Sequence, residues 1–409
     1  MFLDLLRRRN PAFLTAVVEL HRSGDLPVNC FAIDLDAVRS NAAAIVAEAN
    51  RVGVTVFAMT KQIGRNPDVS RALVKSGIAQ AVAVDLDCAE AAVAGGLRLG
   101  HVGHLVQVPR HDAGRAAALD PAYWTVFSHD KATDAAAASA ATSRNQALLA
   151  RIFADGDRFY RGHEGGFPAA DVAAVADRLD ALEGAHFAGI VTFPAALYDA
   201  DARTVKPTPN LATLQTAARA LAAAGRTDVE INAPGTTSTA MLAMLAEAGA
   251  TQVEPGHGLT GTTPWHAVED LVEEPAIAYV SEVSHLYANE AFVFGGGLYV
   301  DPVLPGLQTR ALVVPPGAAP ADIEPLLVDM PSPAAIDYYA PIDVTDRPGV
   351  STGDTVVFGF RPQVFVTRAL TAAISGVSTG TPRVEGLWAS DGSTPLRHEP
   401  AHTLLGRHA

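Results

Sequence analysis

Cysteine is scarce. In 409 residues only Cys30 and Cys88 occur, and neither stands in a CxxC or Cys/His spacing. That excludes a disulfide framework and a thiolate zinc knuckle, and both thiols are expected as reduced core residues. Basic charge is short too, with 30 Lys and Arg against 44 Asp and Glu and a net charge of -14. A nucleic-acid partner needs a basic face, so none is expected. No apolar run approaches the roughly 20 residues of a membrane-crossing helix. The opening segment, MFLDLLRRRNPAFLTAVVELHRSGD, places acidic residues among its apolar positions and lacks a small-residue cleavage site. It reads as an amphipathic helix, not a signal peptide, so the expected location is cytoplasmic, with no membrane partner.

Apolar material is plentiful: 49% of residues are hydrophobic and 18% charged, enough for a large domain and a smaller one. From about residue 30 to 265, short apolar runs alternate with Ala-rich segments of helical period. Strands are expected at 31–33, 54–60, 80–84, 102–108, 123–127, 148–153, 187–192, 229–232 and 251–254. Helices are expected at 36–50, 88–94, 131–141, 169–182, 211–224 and 237–248. About eight strand-then-helix units predict an α/β fold built on a TIM-type (β/α)8 barrel, with an open doubly wound sheet as the alternative. After Thr263 the helical periods vanish, and β-type runs at 290–300, 309–314, 354–360 and 364–367 predict a second, mainly β domain. The expected division is an N-terminal helix over 1–29 packing on the C-terminal domain, a barrel over 30–265 and a β-rich domain over 266–409, loose from about Asp391.

A barrel works at the C-terminal ends of its strands. Lys61, Thr192, Asn232 and Glu254 all fall there in this register. Lys61, in VTVFAMTKQIGRNP, closes an uncharged strand, so its stem is expected to leave from the barrel core. A partly desolvated ammonium loses its proton more easily, which an imine-forming lysine needs; a solvated surface lysine is the plainer reading. Two glycine-bearing loops follow neighbouring strands. NAPGTTST, at 232–239, opens a helix, and VEPGHGLTGTTP, at 253–264, brings Gly256, Gly258 and Gly261 together with Thr260, Thr262 and Thr263. Glycines let backbone N–H groups approach an anion, and a helix N-terminus favours one. Each loop alone is ordinary turn chemistry. An imine lysine and a phosphate cup on one barrel face specify pyridoxal 5'-phosphate.

In order and spacing these segments resemble the fold-type III pyridoxal-phosphate enzymes, the alanine racemase-like superfamily that also includes ornithine decarboxylases, and most nearly its YhfX-like branch of predicted amino-acid racemases. The resemblance rests on FAIDLDAVRSN at 31–41, MTKQIGRN, GIVTFPA at 189–195, EINAPGTTST and VEPGHGLTG. It implies that Lys61 is the Schiff-base lysine. It also implies that Asn232, Gly235, Thr236, Thr237, Gly256, His257 and Gly258 line the cofactor. Arg65 takes the place of a phosphate-contacting tyrosine, or is a surface arginine. Phe193 stands where a histidine often stacks on the ring, or is a core residue. Glu254 stands where alanine racemases carry an arginine against the pyridine nitrogen, and its EPG resembles the EPGR of the decarboxylases. A carboxylate there favours a protonated ring and a stronger electron sink, which permits racemisation, decarboxylation or elimination. A turn glutamate is the bland reading. Near the cofactor hydroxyl the family expects a basic residue; in FYRGHEGGF, Arg161, His163 and Glu164 compete, and His163 is taken.

The resemblance also places a second acid/base early in the β domain. SEVSHLYANE, at 281–290, offers His285 in that position and Tyr287 two residues on, with a merely structural histidine as the alternative. GDTVVFGFRPQVFVTR resembles the stretch that carries a His-x-Cys metal pair in D-serine dehydratases and D-threonine aldolases. Gln363 and Phe365 stand in those places, so no metal is expected. Arg361 is read as holding a substrate carboxylate, or as an exposed structural arginine. His101 and His104 are read as strand-start residues. The implied assembly is a head-to-tail homodimer with shared active sites, and the implied reaction is racemisation of a small-molecule amino acid. A decarboxylase or lyase of the same fold is the alternative, and a non-catalytic pyridoxal-phosphate-binding protein is a third reading.

Overall fold

The computed structural model describes residues 1–300, 308–332 and 334–395; the expected loose tail lies outside the described residues from 396 onward. The chain forms two compact units, each discontinuous in sequence. One comprises Arg39–Thr60 and Ser70–Glu273; the other comprises Met1–Val38, Lys61–Val69 and the chain from Glu274 on. The first expected barrel strand is β1 (Cys30–Asp34), and it does not join the barrel. All five of its residues are buried. A short run buried on both faces suits the middle of either sheet, so periodicity could not assign it.

The strands of the barrel unit are β2 (Thr55–Val56), β3 (Ala58–Met59), β4 (Gln80–Val82), β5 (Arg98–Val102), β6 (Tyr123–Val126) and β7 (Gln146–Phe153). They continue with β8 (Phe167–Pro168), β9 (Ala185–Val191), β10 (Ala196–Asp199), β11 (Thr204–Pro207), β12 (Glu230–Asn232) and β13 (Gln252–Val253). The ladder runs β2-β13-β12-β9-β7-β6-β5-β4-β3 and is parallel throughout. Its two ends, β2 and β3, are halves of one strand interrupted at Phe57. The Phe57 N–H donates to Val253 O at 2.9 Å and the Met59 N–H to Pro255 O at 2.9 Å, which continues the seam and completes the (β/α)8 barrel. β8 pairs only with β7, and β10 and β11 form a separate antiparallel hairpin. The strand expected at 102–108 is instead β5, because Gly103 adopts a left-handed φ of 75° that ends it.

In the other unit the strands are β14 (Ile277–Tyr287), β15 (Glu290–Phe294), β16 (Arg310–Val314), β17 (Leu326–Leu327), β18 (Tyr339–Asp343), β19 (Thr355–Phe358), β20 (Leu370–Ser375) and β21 (Arg383–Ala389). Their order is β17-β16-β19-β14-β1-β20-β21, with β15 beside β14 and β18 beside β15. Among the described strands of this sheet only β1 and β20 pair in parallel; the rest is antiparallel. The run expected as a strand at 364–367 is a 3-10 turn, Val364–Val366. Three consecutive apolar residues lack the alternation that specifies a strand face.

Two helices, Phe2–Arg9 and Pro11–Arg22, cover this sheet. Asn10 accepts the Phe13 N–H at 3.2 Å, and Pro11 stands at the first turn, a favoured start for the second helix. Leu3, Leu6, Phe13, Leu14 and Val17 pack with Cys30, Ala32, Val280, Leu312 and Ala372 in one core. Both cysteines are buried and neither is in a disulfide among the described residues. Truncating Phe13 to alanine removes a ring with no exposed surface. Urea unfolding of Phe13→Ala is expected to show a loss of about 3–5 kcal/mol. A change within about 0.5 kcal/mol would show that the helix contributes nothing to that core.

Candidate active site

The carboxyl ends of the barrel strands collect polar side chains that the strands themselves bury. Glu254 directly follows β13 and is 5% exposed. Its Oε1 accepts from Asn232 Nδ2 at 2.7 Å, and its Oε2 lies 3.3 Å from His104 Nε2. Asn232 ends β12, and its Nδ2 is 3.4 Å from His101 Nδ1. His101 also meets Phe57 edge-on, with ring centroids 4.3 Å apart. Burial pushes the Glu254 carboxyl up to about 8, against a smaller opposing pull from Asn232. Burial pushes the His101 imidazole down to about 3. Near neutral pH, therefore, Glu254 holds a proton, with the His104 imidazole 3.3 Å from its Oε2. A carboxyl tuned in this way gives its proton to a base placed against it without having to survive as a bare buried anion.

His101 and His104 are not strand-start residues: β5 begins at Arg98, so His101 is next to its last residue and His104 lies just beyond its end. The reading failed because it ran the strand across Gly103, over 102–108, whereas the strand ends before it.

The two glycine loops lie against each other. A Cβ on Gly258 would stand 2.5 Å from Thr237 O, and one on Gly235 would stand 2.4 Å from Ala196 O, so side chains are excluded at both positions. Thr236 donates its N–H to Ala196 O at 2.9 Å, and Thr237 is buried with Oγ1 3.4 Å from Gly235 O. Gly256 leads into the 3-10 turn His257–Thr260; His257 is buried with Nδ1 3.1 Å from Thr262 Oγ1. Asn41, the last residue of FAIDLDAVRSN, donates to Leu259 O at 3.2 Å and anchors that turn. Ser238, the N-cap of helix Thr239–Glu247, buries an Oγ that has no hydrogen-bond partner among the described residues. Close-packed glycines beside a buried, unsatisfied hydroxyl at a helix N-terminus fit a phosphate group.

Of the three candidates for the basic position, Arg161 pairs with Glu164 at 3.2 Å and its side chain is 97% exposed. His163 stacks on Phe193 with centroids 5.7 Å apart. A fourth residue, Arg151 on β7, escaped the sequence reading although it is fully buried. Its Nη2 donates to His163 O at 2.8 Å and Phe193 O at 3.2 Å, and the guanidinium lies over Phe127, 4.9 Å from the centroid. Burial lowers it to about 10, which leaves it cationic, and no carboxylate pairs with it among the described residues. A charged residue inside the apolar strand ALLARIF was the available signal.

In the other unit, Lys61 opens a 3-10 turn, Lys61–Ile63, and one residue, Thr60, separates it from β3. Its Nζ lies 5.3 Å from the Phe365 ring centroid, and the Arg65 guanidinium lies 5.9 Å from the same ring. Both turns of this contact depend on Gly64, whose added Cβ would stand 2.7 Å from Thr371 Cγ2 and 2.9 Å from Val364 Cγ1. Arg65 has a left-handed φ of 55° and is 7% exposed, so it is not a surface arginine. Arg361 and Gln363 are half-buried. His285 is exposed, stacks on Phe292 at 4.8 Å and meets Tyr339 edge-on at 5.1 Å; Tyr287 is 72% exposed.

The protonated state of Glu254 has a measurable consequence. Its folded value is above the ordinary 4.5, so the folded protein keeps a proton that the unfolded chain releases. Stability from this group therefore falls as pH rises between about 4.5 and about 8. In the cofactor-free protein, Glu254→Gln is expected to remove a slope on the order of 1 kcal/mol per pH unit. Denaturation curves across that window check this; parallel slopes for the two proteins contradict it.

Comparison with known proteins agrees with this architecture. Residues 33–264 match the family model for the alanine racemase N-terminal domain, and residues 278–384 match that for the YhfX-like C-terminal domain. An uncharacterized protein, YhfX, of Escherichia coli (strain K12) is 35% identical over 394 residues, covering 96% of this chain and 99% of that protein. Among solved structures, D-threonine aldolase from Filomicrobium marinum superposes with a TM-score of 0.65 at 15% identity, over 90% of this chain and 96% of that one. D-threo-3-hydroxyaspartate dehydratase from Delftia sp. HT23 gives 0.65 at 18%, over 88% and 97%. Alanine racemase of Clostridium difficile 630, in complex with cycloserine, gives 0.59 at 13%, over 88% and 98%. Such low identities establish the shared fold alone. The chain belongs to the alanine racemase family through its N-terminal domain and carries a YhfX-like C-terminal domain.

Proposed function

We propose that this protein is a pyridoxal 5'-phosphate-dependent amino-acid racemase or epimerase. The observation that carries the proposal is Glu254, a buried and protonated carboxyl held by Asn232 and His104 at the strand ends of the barrel. The family is generally pyridoxal-phosphate dependent, and alanine racemase is one of its solved neighbours. When bound, the cofactor supplies an electron sink that loosens the bonds at the α-carbon of an amino acid.

The residues divide the remaining work. The Lys61 amine is the group that would hold the cofactor carbonyl and then take or return the α-proton at Nζ. Glu254 would hand its proton to the ring nitrogen and face it as a carboxylate, an ion pair that Asn232 and His104 stabilise from the other side. Gly235, Thr236, Thr237, Gly256, His257 and Gly258 would surround the phosphate, with Arg65 adding charge. Phe193 would pack on the ring, and Arg151 with His163 would serve its hydroxyl. Arg361 would hold the substrate carboxylate. A second copy of the chain would contribute His285 or Tyr287 as the opposing acid/base. Their exposure beside Phe292 and Tyr339 supports that reading, since exposed aromatic groups suit a subunit interface. The cytoplasm is the proposed location.

A second reading keeps the cofactor and changes the bond broken. Glu254 equally suits decarboxylation or elimination, and the aldolase and dehydratase neighbours support a lyase. Purified protein supplied with pyridoxal phosphate is expected to show a visible absorption band that disappears in Lys61→Ala; an unchanged, colourless protein contradicts the cofactor assignment. In a screen over amino acids, exchange of the α-proton for deuterium with loss of optical activity and no new product supports racemisation. Release of carbon dioxide, ammonia or an aldehyde would place the enzyme with the lyases.

A further inference from the structure

The two glycine loops are joined by a chain of buried side chains outside the family motifs. Glu273 is fully buried, and its Oε1 accepts both the N–H and the hydroxyl of Thr239, at 2.6 and 2.7 Å. Thr239 is the first residue of the helix that NAPGTTST opens. The other oxygen of Glu273, Oε2, lies 3.3 Å from His266 Nε2, and His266 Nδ1 lies 2.6 Å from Thr263 Oγ1 at the end of VEPGHGLTGTTP. Thr263 and His266 are also buried, at 2% and 1% exposure. Burial pushes the Glu273 carboxyl up, but the bonds from His266 and Thr239 together outweigh it and leave it below the usual carboxyl range.

We infer that His266 and Glu273 are positioning residues that hold the two phosphate-facing loops at a fixed spacing. The inference rests on the cofactor reading above. Thr263 belongs to one loop, Thr239 opens the helix of the other, and the His266–Glu273 pair is the link between them. Cutting the link leaves the barrel strands in place and frees the loops to drift. A group that needs donors from both loops then binds less well, because donors must be in place before the ligand arrives for their full worth to be realised. The rest of a ligand, which does not touch those loops, is unaffected.

Binding of pyridoxal phosphate and of pyridoxal, which lacks the phosphate, separates this role from general support of the fold. Both are followed by absorbance titration of wild type, His266→Ala and His266→Gln, with competition by inorganic phosphate as a second readout. His266→Ala is expected to raise the Kd for pyridoxal phosphate about tenfold, about 1.4 kcal/mol, and to weaken inorganic phosphate in parallel, while the Kd for pyridoxal stays the same. His266→Gln, which keeps a donor and an acceptor, is expected to lose less on pyridoxal phosphate alone. If His266→Ala does not fold, His266→Gln and Glu273→Gln carry the same comparison. Equal losses on both ligands, or no loss on either, overturn the inference while the cofactor reading stands. A wild-type protein that binds neither ligand overturns both.

Discussion

A parallel sheet leaves two unpaired edges unless its ends meet, and in the barrel unit they meet on a single strand broken at Phe57. β2 completes the pairing of β13, and β3 continues to β4. Every strand of this closed ladder runs the same way, so every carboxyl end arrives at one rim. His101, Asn232 and Glu254 come from three different strands and are neighbours only for that reason. At the break the buried Phe57 ring packs edge-on against His101.

What that rim buries is chemically expensive. A neutral imidazole, a protonated carboxyl and a guanidinium with no carboxylate pair among the described residues are each disfavoured in a dry interior relative to apolar residues of similar size. The barrel tolerates them through specific partners: Asn232 and His104 for Glu254, and two carbonyls and an aromatic face for Arg151. None of these bonds is needed to form strands or helices. Groups kept at such a cost, with protonation states moved away from their ordinary ranges, mark a site of chemistry. The glycine loops follow the same logic, since Gly235 and Gly258 have no room for a side chain and Gly258 lies beside Ser238, whose buried hydroxyl has no partner among the described residues.

Much of the fold was legible because strand and helix periods differ and breakers punctuate them. The positions of Lys61, Asn232 and Glu254 just at or past strand ends followed from that reading and agree with β3, β12 and β13. β1 was misplaced because five consecutive buried residues carry no information about which sheet buries them. The 102–108 strand was misplaced because Gly103 could either begin or end a strand, and only its backbone angle decides. Arg151 was missed because its partners, the carbonyls of His163 and Phe193 and the Phe127 ring, lie in other segments of the chain. His104 was dismissed because its partner, Glu254, is 150 residues away in sequence.

By itself the sequence determined the order of strands and helices, the type of each loop and the residue types available for chemistry. These follow from local periodicity and from backbone preferences of glycine and proline. The tertiary structure decided which side chains share an environment: that Glu254 faces Asn232 and His104, that Phe365 takes Lys61 and Arg65, and that His266 and Glu273 join two loops. It decided protonation too, because a carboxyl changes its affinity for a proton only when burial removes water and neighbours replace it, and both depend on residues far apart in the chain.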